Sequence, residues 1–178
     1  VLSGPDGPES AWPALAGPDE AAPARSIERG AARYSPRSLV GAGGMGQVLI
    51  AHDEVLGREV ALKVLRPDRA IGPMAAGRLE REARITAALD HPSIVAVHDL
   101  GQTPDGLPFY VMRLVRGRAL DQELAQRTDM RGRLQLVRPL LAAVEAIAYA
   151  HHRGVVHRDL KPANVMLGPF GEVQVMDW

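Results

Sequence analysis

The sequence predicts an α+β fold in two parts, an antiparallel β-sheet with one helix followed by the start of a helical part. The first half of the chain contains short apolar runs bounded by glycine and proline, a pattern typical of antiparallel strands. From about Leu120 onward the apolar residues recur every three or four positions, which is the spacing of a helix. A β-rich half followed by a helical half indicates two lobes.

The sheet part is predicted to hold five strands and one helix. The strands fall at residues 38–40, 48–52, 60–65, 94–99 and 109–114. The helix covers residues 75–89, where apolar side chains follow helical spacing, and His91-Pro92 marks its end. The turn-rich sequence GQTPDGLP joins the last two strands.

The helical part is predicted to contain one long helix and a closing hairpin. Pro139 lies early in this helix and indicates either its first turn or a kink. The hairpin pairs residues 165–167 with 172–176 around a Gly-Pro-Phe-Gly turn. The apolar face of the helix is formed by Val137, Leu140, Leu141, Val144, Ile147, Ala148 and His151.

Residues 1–32 differ in composition from the rest of the chain. They are rich in proline, glycine and alanine without periodicity, so they cannot bury enough apolar surface to offset chain entropy. We expect a disordered tail there, with a proline-rich docking motif as the alternative. The folded domain is expected at 33–178, with a sheet lobe and hinge at 33–116 and a partial helical lobe at 117–178. Because the chain starts at Val1 rather than Met and ends inside a strand-like run, we expect a fragment.

The composition excludes several classes of protein. The 21 basic and 21 acidic residues give a net charge of zero, and only 4% are aromatic, so no nucleic-acid partner and no anionic membrane is expected. The absence of cysteine excludes a disulfide scaffold and fits a reducing compartment, which predicts a cytoplasmic location. No signal peptide is recognised, and the most apolar helical run, residues 139–150, is too short for a membrane span. The oligomeric state is left open.

A glycine-rich run, GAGGMGQV at residues 41–48, lies between two predicted strands. Glycines let a backbone turn approach phosphates closely and direct its N–H groups toward them. The same G-x-G-x-x-G spacing occurs in dinucleotide-binding proteins, but there a helix follows the last glycine. Here the apolar sequence Val-Leu-Ile-Ala follows, so a strand is favoured over a helix. The alternatives for the run itself are a phosphate-covering hairpin and a glycine-rich turn without a ligand.

Lys63 and Glu82 are predicted to pair. Strand alternation puts Ala61 and Lys63 on one face of the third strand, toward the glycine-rich run. On the predicted helix, Glu82 rather than Glu80 shares a face with Leu79. A carboxylate in a mostly apolar stripe needs a cation, and Lys63 is the candidate.

The run HRDLKPAN, residues 157–164, is the most informative in the chain. It places Asp159 and Asn164 five residues apart, with Lys161 between them. In phosphoryl transfer such an Asp orients and deprotonates a hydroxyl, the Lys meets the transferred phosphate and the Asn holds a metal ion. Asp177 follows at the end of the last predicted strand, where strand parity directs it inward. Asn164 and Asp177 together offer the hard oxygen ligands that suit magnesium.

Lysine is rare in this chain. Of its 21 basic residues, 19 are arginine and only Lys63 and Lys161 are lysine. A compact ammonium and a planar guanidinium are not interchangeable in a tight phosphate site. Because both lysines fall in motifs expected to meet phosphate, their positions support those motifs.

Taken together, the motifs resemble the protein kinase family, in particular the bacterial kinases of the eukaryotic-like Ser/Thr type, over residues 34–178. The resemblance implies a truncated two-lobe kinase fold, ATP and Mg²⁺ as cofactors, and a protein substrate phosphorylated on Ser or Thr. Its implied catalytic residues are Lys63, Glu82, Asp159, Lys161 and Asn164, and its implied metal ligands are Asn164 and Asp177. Its implied nucleotide contacts are Val40, Gly41, Ala42, Gly43, Gly44, Met45, Gly46, Gln47, Val48, Ala61, Lys63, Met112 as gatekeeper, Arg113 and Val115 as hinge, and Met166.

Two residues depart from the family pattern. Trp178 stands where the family usually has Phe, and we expect it to pack against His157. Arg113 replaces a commonly acidic hinge residue, which is expected to alter the ribose side of the nucleotide site. The family's activation segment and later helices would follow Trp178. We therefore expect the isolated chain to be inactive and its long helix to lack cover. The alternative functions are a non-catalytic nucleotide-binding or pseudokinase-like interaction module and a small-molecule phosphotransferase.

Overall fold

The computed structural model describes residues 33–42, 46–65 and 73–178, so the predicted tail at 1–32 lies outside the described residues. Its first part contains β1 (Tyr34–Ala42), β2 (Gly46–Asp53), β3 (Arg58–Leu65), α1 (Pro73–Ala87), β4 (Val97–Gln102) and β5 (Pro108–Arg113). The strands form one antiparallel sheet in the order β1-β2-β3-β5-β4. All five predicted strands and the predicted helix are therefore present.

The two faces of this sheet carry separate buried clusters, as the alternation along β3 predicts. On one face Ala61 and Leu65 pack with Leu79 and Ala83 of α1. The cluster on the other face consists of Tyr34, Ala51, Val60, Leu62, Val64, Phe109 and Val111. Lys63 shares the parity of Ala61, so its side chain lies on the face that α1 covers.

A buried ion pair fixes the start of the sheet. Arg33 donates from Nε and Nη2 to the two carboxylate oxygens of Asp53, each at 2.8 Å. Asp53 also accepts from the backbone N–H groups of Val55 and Leu56, which shapes the turn between β2 and β3. The Arg33 hydrogen bond outweighs burial and lowers the pKa of Asp53 below its ordinary value. Arg33 thus connects the beginning of β1 to the far end of β2.

The fourth strand begins later than predicted. Residues 94–99 were expected to form it, whereas β4 starts at Val97. Ile94 and Val95 are buried, but Ile94 forms a parallel bridge with Val175 and the N–H of Val95 donates to the Val175 carbonyl at 3.2 Å. Their hydrophobicity reflects this junction with the second part of the molecule, and strand periodicity alone cannot distinguish the two environments.

The second part contains β6 (Arg118–Ala119), α2 (Leu120–Gln126), α3 (Met130–Leu134), α4 (Val137–His152), a 3₁₀ turn (Pro162–Asn164), β7 (Val165–Leu167) and β8 (Val173–Val175). The predicted hairpin is the β7–β8 pair, and β6 adds to it in the order β6-β7-β8. Pro139 lies in the first turn of α4, where a missing N–H removes no intrahelical bond. Among the helices of the described residues, none has the length and apolar character of a membrane span.

Helix α4 is apolar on two sides, and only one of them faces the core. The buried side carries Ala143, Ala146 and Ala150. The larger side chains of the predicted apolar face are uncovered, as expected: Val137, Leu140, Leu141 and Val144 are each more than half exposed. The alanines allow α4 to lie close to the β7–β8 hairpin, which larger side chains would prevent.

Candidate active site

A cavity of about 300 Å³ opens between the sheet and the loop at residues 157–164, which we call the catalytic loop. Its walls come from both parts of the molecule, so it forms only where the two parts meet. The residues that line it are Gly46, Val48, Lys63, Leu65, Ala75, Leu79, Glu82, Asp159, Lys161 and Asp177. Five of the predicted catalytic and metal-binding side chains are among them.

Lys63 is the electrostatic centre of this cavity. Its Nζ lies 2.5 Å from Glu82 Oε1 and 2.9 Å from Asp177 Oδ1, so the predicted contact with Glu82 forms. Burial lowers the pKa of Lys63, but the Asp177 and Glu82 carboxylates more than offset this and leave the pKa raised. The ammonium therefore stays charged between two carboxylates from α1 and the chain after β8.

The backbone conformation that brings Asp177 to Lys63 differs from the extended strand that the sequence predicted. Strand β8 ends at Val175, and Asp177 has a φ of 61°, in the left-handed region. Its side chain is 45% exposed, unlike the buried Val173 and Val175. Strand parity does not account for this position, because β8 has ended and the left-handed backbone at Asp177 turns the carboxylate toward Lys63 in the cavity.

The catalytic loop holds Asp159, Lys161 and Asn164 together. Lys161 Nζ donates to Asp159 Oδ2 at 2.7 Å, and Asn164 Nδ2 donates to the Asp159 carbonyl at 2.9 Å. The Lys161 hydrogen bond lowers the pKa of Asp159, and Asp159 raises the pKa of Lys161. Asp159 is exposed and remains ionised, so it can accept a hydrogen bond from an incoming hydroxyl.

The loop is anchored to the segment that carries Asp177. His157 Nε2 donates to the carbonyl oxygen of Met176 at 2.8 Å. The His157 ring also packs against Trp178, with ring centroids 4.8 Å apart, which confirms the predicted contact. Within the described ranges, Arg158 and Asp177 are the only non-glycine residues with positive φ. Both flank the cavity, as strained backbone often does at functional sites.

Some of the residues predicted to bind the nucleotide lie together on one face of the sheet. Ala61 and Met112 are register partners on β3 and β5, and they are buried in a cluster that Val48 and Val115 contact. Gly46 lies where a Cβ would come within 3.0 Å of the Val64 carbonyl, so glycine permits this approach. Of these residues, Gly46 and Val48 line the cavity beside Lys63.

Other predicted nucleotide contacts lie apart or are not described. The Arg113 backbone N–H donates to the Ala96 carbonyl at 2.9 Å, so it is not available to a ligand. The Arg113 side chain is exposed and faces the β7–β8 turn instead. Val40 and Gly41 are exposed on β1, Gln47 lines the opposite face of the sheet, and Met166 is half-buried on β7. Gly43, Gly44 and Met45 lie outside the described residues, as does the side chain of Ala42.

Tyr110 belongs to this site and was not predicted. Its hydroxyl donates to Glu82 Oε1 at 2.7 Å, and the Lys63 Nζ lies 5.8 Å from the centroid of its ring. Burial and the Glu82 carboxylate raise the pKa of Tyr110, so the hydroxyl keeps its proton. The sequence predicts neither strand order nor register, and only the pairing of β5 with β3 makes Tyr110 the direct partner of Lys63.

Asn164 and Asp177 are the residues available for a metal ion. No group of three or more His, Cys, Asp or Glu side chains in the described part of the chain could hold a metal by itself. One carboxylate and one amide oxygen nevertheless fit Mg²⁺, which is usually bound by one or two carboxylates together with substrate phosphates. Asn164 uses its amide nitrogen on Asp159, which leaves its oxygen as the ligand atom.

The fold and the site together define a protein kinase. The family model for the protein kinase domain matches residues 34–178, and the chain belongs to this family. Its structure is similar to the crystal structure of the Mycobacterium tuberculosis PknI kinase domain, with a TM-score of 0.65 and 33% sequence identity. That comparison covers 82% of this chain and 59% of the PknI chain.

Bacterial serine/threonine-protein kinases are among its curated relatives. The chain is 39% identical over 159 residues to the serine/threonine-protein kinase PknD of Chlamydia muridarum. It is 42% identical over 149 residues to the probable serine/threonine-protein kinase SCO3848 of Streptomyces coelicolor. Each match covers 82% of this chain but only 17% of PknD and 22% of SCO3848. The chain therefore spans about a fifth of the length of these relatives.

Proposed function

We propose that this chain carries the catalytic site of a Ser/Thr protein kinase, which transfers the γ-phosphate of ATP to Ser or Thr hydroxyls of proteins. The observation that carries the proposal is Lys63. Its ammonium contacts Glu82 and Asp177 at once, and it opens on the same cavity as Asp159 and Lys161. One cavity thus contains two cations for phosphate and one exposed carboxylate for a hydroxyl.

Each side chain has a separate task in this proposal. Lys63, positioned by Glu82, binds the inner phosphates, and Lys161 binds the phosphate in transfer. Asp159 orients the substrate hydroxyl and accepts its proton, and its lowered pKa keeps the carboxylate ionised at neutral pH. Asn164 and Asp177 hold Mg²⁺, which neutralises phosphate charge when bound. Glycine-rich backbone around Gly46 covers the phosphates, and Ala61 and Met112 exclude water beside the adenine.

Two further observations favour a protein Ser/Thr substrate. Lys161 lies in the sequence LKPAN, which resembles Ser/Thr rather than Tyr kinases, and the relatives named above are serine/threonine-protein kinases. No side chain in the cavity is replaced in a way that favours a non-catalytic module. A cytoplasmic location remains a prediction from the absence of cysteine.

The experiment compares Lys63→Met and Asp159→Asn with the parent sequence, each made in the full-length protein that carries this domain. It uses radiolabelled ATP and casein as a generic acceptor. We expect either change to reduce label transfer by at least about a hundredfold, because each removes a group that acts on the reacting atoms. Phosphoamino-acid analysis should find the label on Ser or Thr. Asp105→Asn, the same change at an exposed turn, is the control and should leave transfer unchanged. Undiminished transfer by Asp159→Asn would refute the proposal.

A further inference from the structure

Two donors from the described part of the chain bind the Glu82 carboxylate, and they share one oxygen. Lys63 Nζ and the Tyr110 hydroxyl both bind Glu82 Oε1, at 2.5 and 2.7 Å. Lys63 and Tyr110 are register partners on adjacent strands, so they reach α1 from neighbouring positions. Tyr110 is only 2% exposed and packs with Leu79 and Ala83, the α1 residues on either side of Glu82.

The two donors differ in what else they must do. The Lys63 ammonium is shared between Glu82 and Asp177, and in the proposed function it also binds phosphate. A phosphate is a third anion for the same ammonium, so the donors of Lys63 are then divided among more partners. The Tyr110 hydroxyl keeps its proton because its pKa is raised, and it donates to Glu82 from a ring that is buried. The Glu82 side chain is only 17% exposed, and a part-buried carboxylate that shares its donor is less stable, so the second donor matters most when phosphate is bound.

We propose that Tyr110 is a positioning residue, a second tether that holds Glu82 and thereby α1 against the sheet independently of Lys63. The inference rests on the proposed function only where it states that Lys63 also binds phosphate. The tether itself is a property of the folded chain, so it can be measured without any catalysis.

Tyr110→Phe isolates the hydroxyl, because the ring, its packing and its position under Lys63 are retained. Tyr34→Phe is the matched control. The Tyr34 hydroxyl also donates to a carboxylate, Asp99 Oδ2 at 2.8 Å, and Tyr34 is 3% exposed on the other face of the same sheet. Each substitution therefore removes one buried hydroxyl–carboxylate bond, and only one of them touches α1.

The measurement is hydrogen–deuterium exchange of the amides of α1, residues 73–87, in the full chain. Tyr110→Phe, Tyr34→Phe and Lys63→Met are measured singly, and each tyrosine variant is also combined with Lys63→Met. With Lys63 absent, we expect loss of the Tyr110 hydroxyl to speed α1 exchange by about tenfold to a hundredfold, the range for a hydrogen bond to a charged group. This should exceed the effect of Tyr110→Phe alone, because only the double variant removes both of these donors. Tyr34→Phe should have the same small effect on α1 with or without Lys63.

The kinetic counterpart is the ATP dependence of transfer. Tyr110→Phe should raise the KM for ATP several-fold while kcat changes less, since Asp159 and Lys161 are untouched; Tyr34→Phe should change neither. Equal α1 exchange in the Tyr110 and Tyr34 variants, or strictly additive effects of Tyr110→Phe and Lys63→Met, would overturn the inference. If Lys63→Met still abolishes transfer, those outcomes refute the tether but do not affect the proposed function. Conversely, a chain without transfer activity still tests the tether by exchange.

Discussion

Trp178→Phe is a change that the family pattern itself suggests, and the structure predicts that it destabilises this chain. The Trp178 indole Nε1 donates to the carbonyl of Val175 at 3.2 Å, which no phenylalanine can do. The ring contact with His157 would survive in part, because the two ring centroids lie 4.8 Å apart at an angle of 47°. The substitution therefore removes one hydrogen bond and some ring volume.

The expected loss in the free energy of unfolding depends on whether the Val175 carbonyl keeps a hydrogen-bond donor after the substitution. Its carbonyl also accepts from the N–H of Val95 at 3.2 Å, so no buried acceptor is left without a donor. The lost bond then costs its net value of about 1 kcal/mol. The smaller ring leaves space in a residue site only 9% exposed, which adds about 1 kcal/mol. We expect a loss of about 2 kcal/mol for Phe and about 3–5 kcal/mol for Ala at this position.

The assay is equilibrium urea unfolding followed by circular dichroism, because tryptophan fluorescence changes with the substitution itself. Trp12→Phe, the same change at the only other tryptophan of the chain, is the control, and we expect it to leave the unfolding midpoint unchanged. The reasoning fails if Trp178→Phe is neutral. It also fails if Phe and Ala destabilise equally, since the ring would then contribute nothing through His157.

Two further predictions concern stability away from the cavity. Asp53→Asn should cost about 3 kcal/mol at pH 7, because it removes the carboxylate that both Arg33 donors bind and leaves Arg33 only its longer contact with Asp99, at 3.8 Å. Since the pKa of Asp53 is lowered on folding, this contribution is present above the ordinary carboxyl range, and the difference between variant and parent should shrink below about pH 4. A difference independent of pH would contradict it. On α4, Ala146→Leu should cost about 1–3 kcal/mol by overpacking, whereas Leu141→Gln should stay within about 0.5 kcal/mol, both measured by urea unfolding. Equal effects would mean that the core face is assigned wrongly.

The parts of the site that local periodicity controls could be predicted from the sequence. Alternation along β3 put Lys63 on the face of Ala61, and helical spacing put Glu82 rather than Glu80 on the inner face of α1. In the structure Glu80 instead pairs with Arg84 on the outer side. Each of these inferences needed only the geometry of one element, and the pair follows once both elements pack together.

What could not be predicted depends on backbone turns and on contacts between elements. The left-handed φ of Asp177 breaks the strand alternation on which the prediction relied. The residues around Asp177 do not by themselves indicate this conformation. The Tyr110 hydroxyl meets Glu82 only because β5 lies beside β3, although any of the three other strands of the sheet could have lain between them. The two sides of α4 are both apolar, so periodicity could not tell that the alanines would be buried.

The geometry around residue 63 gives a physical reason why this position holds a lysine in an arginine-rich chain. The Lys63 Nζ makes contacts of 2.5 and 2.9 Å with carboxylates from two different elements, and it does so from beneath Gly46, where a Cβ would lie 3.7 Å from the Lys63 Cε. A rotating ammonium can divide its donors among Glu82, Asp177 and a phosphate, whereas a planar guanidinium fixes the directions of its donors and needs more width. Arginine serves elsewhere in this chain, as in the two-oxygen contact of Arg33 with Asp53, where a planar fork matches a single carboxylate. At residue 63 the choice of cation therefore follows the number and arrangement of its anionic partners.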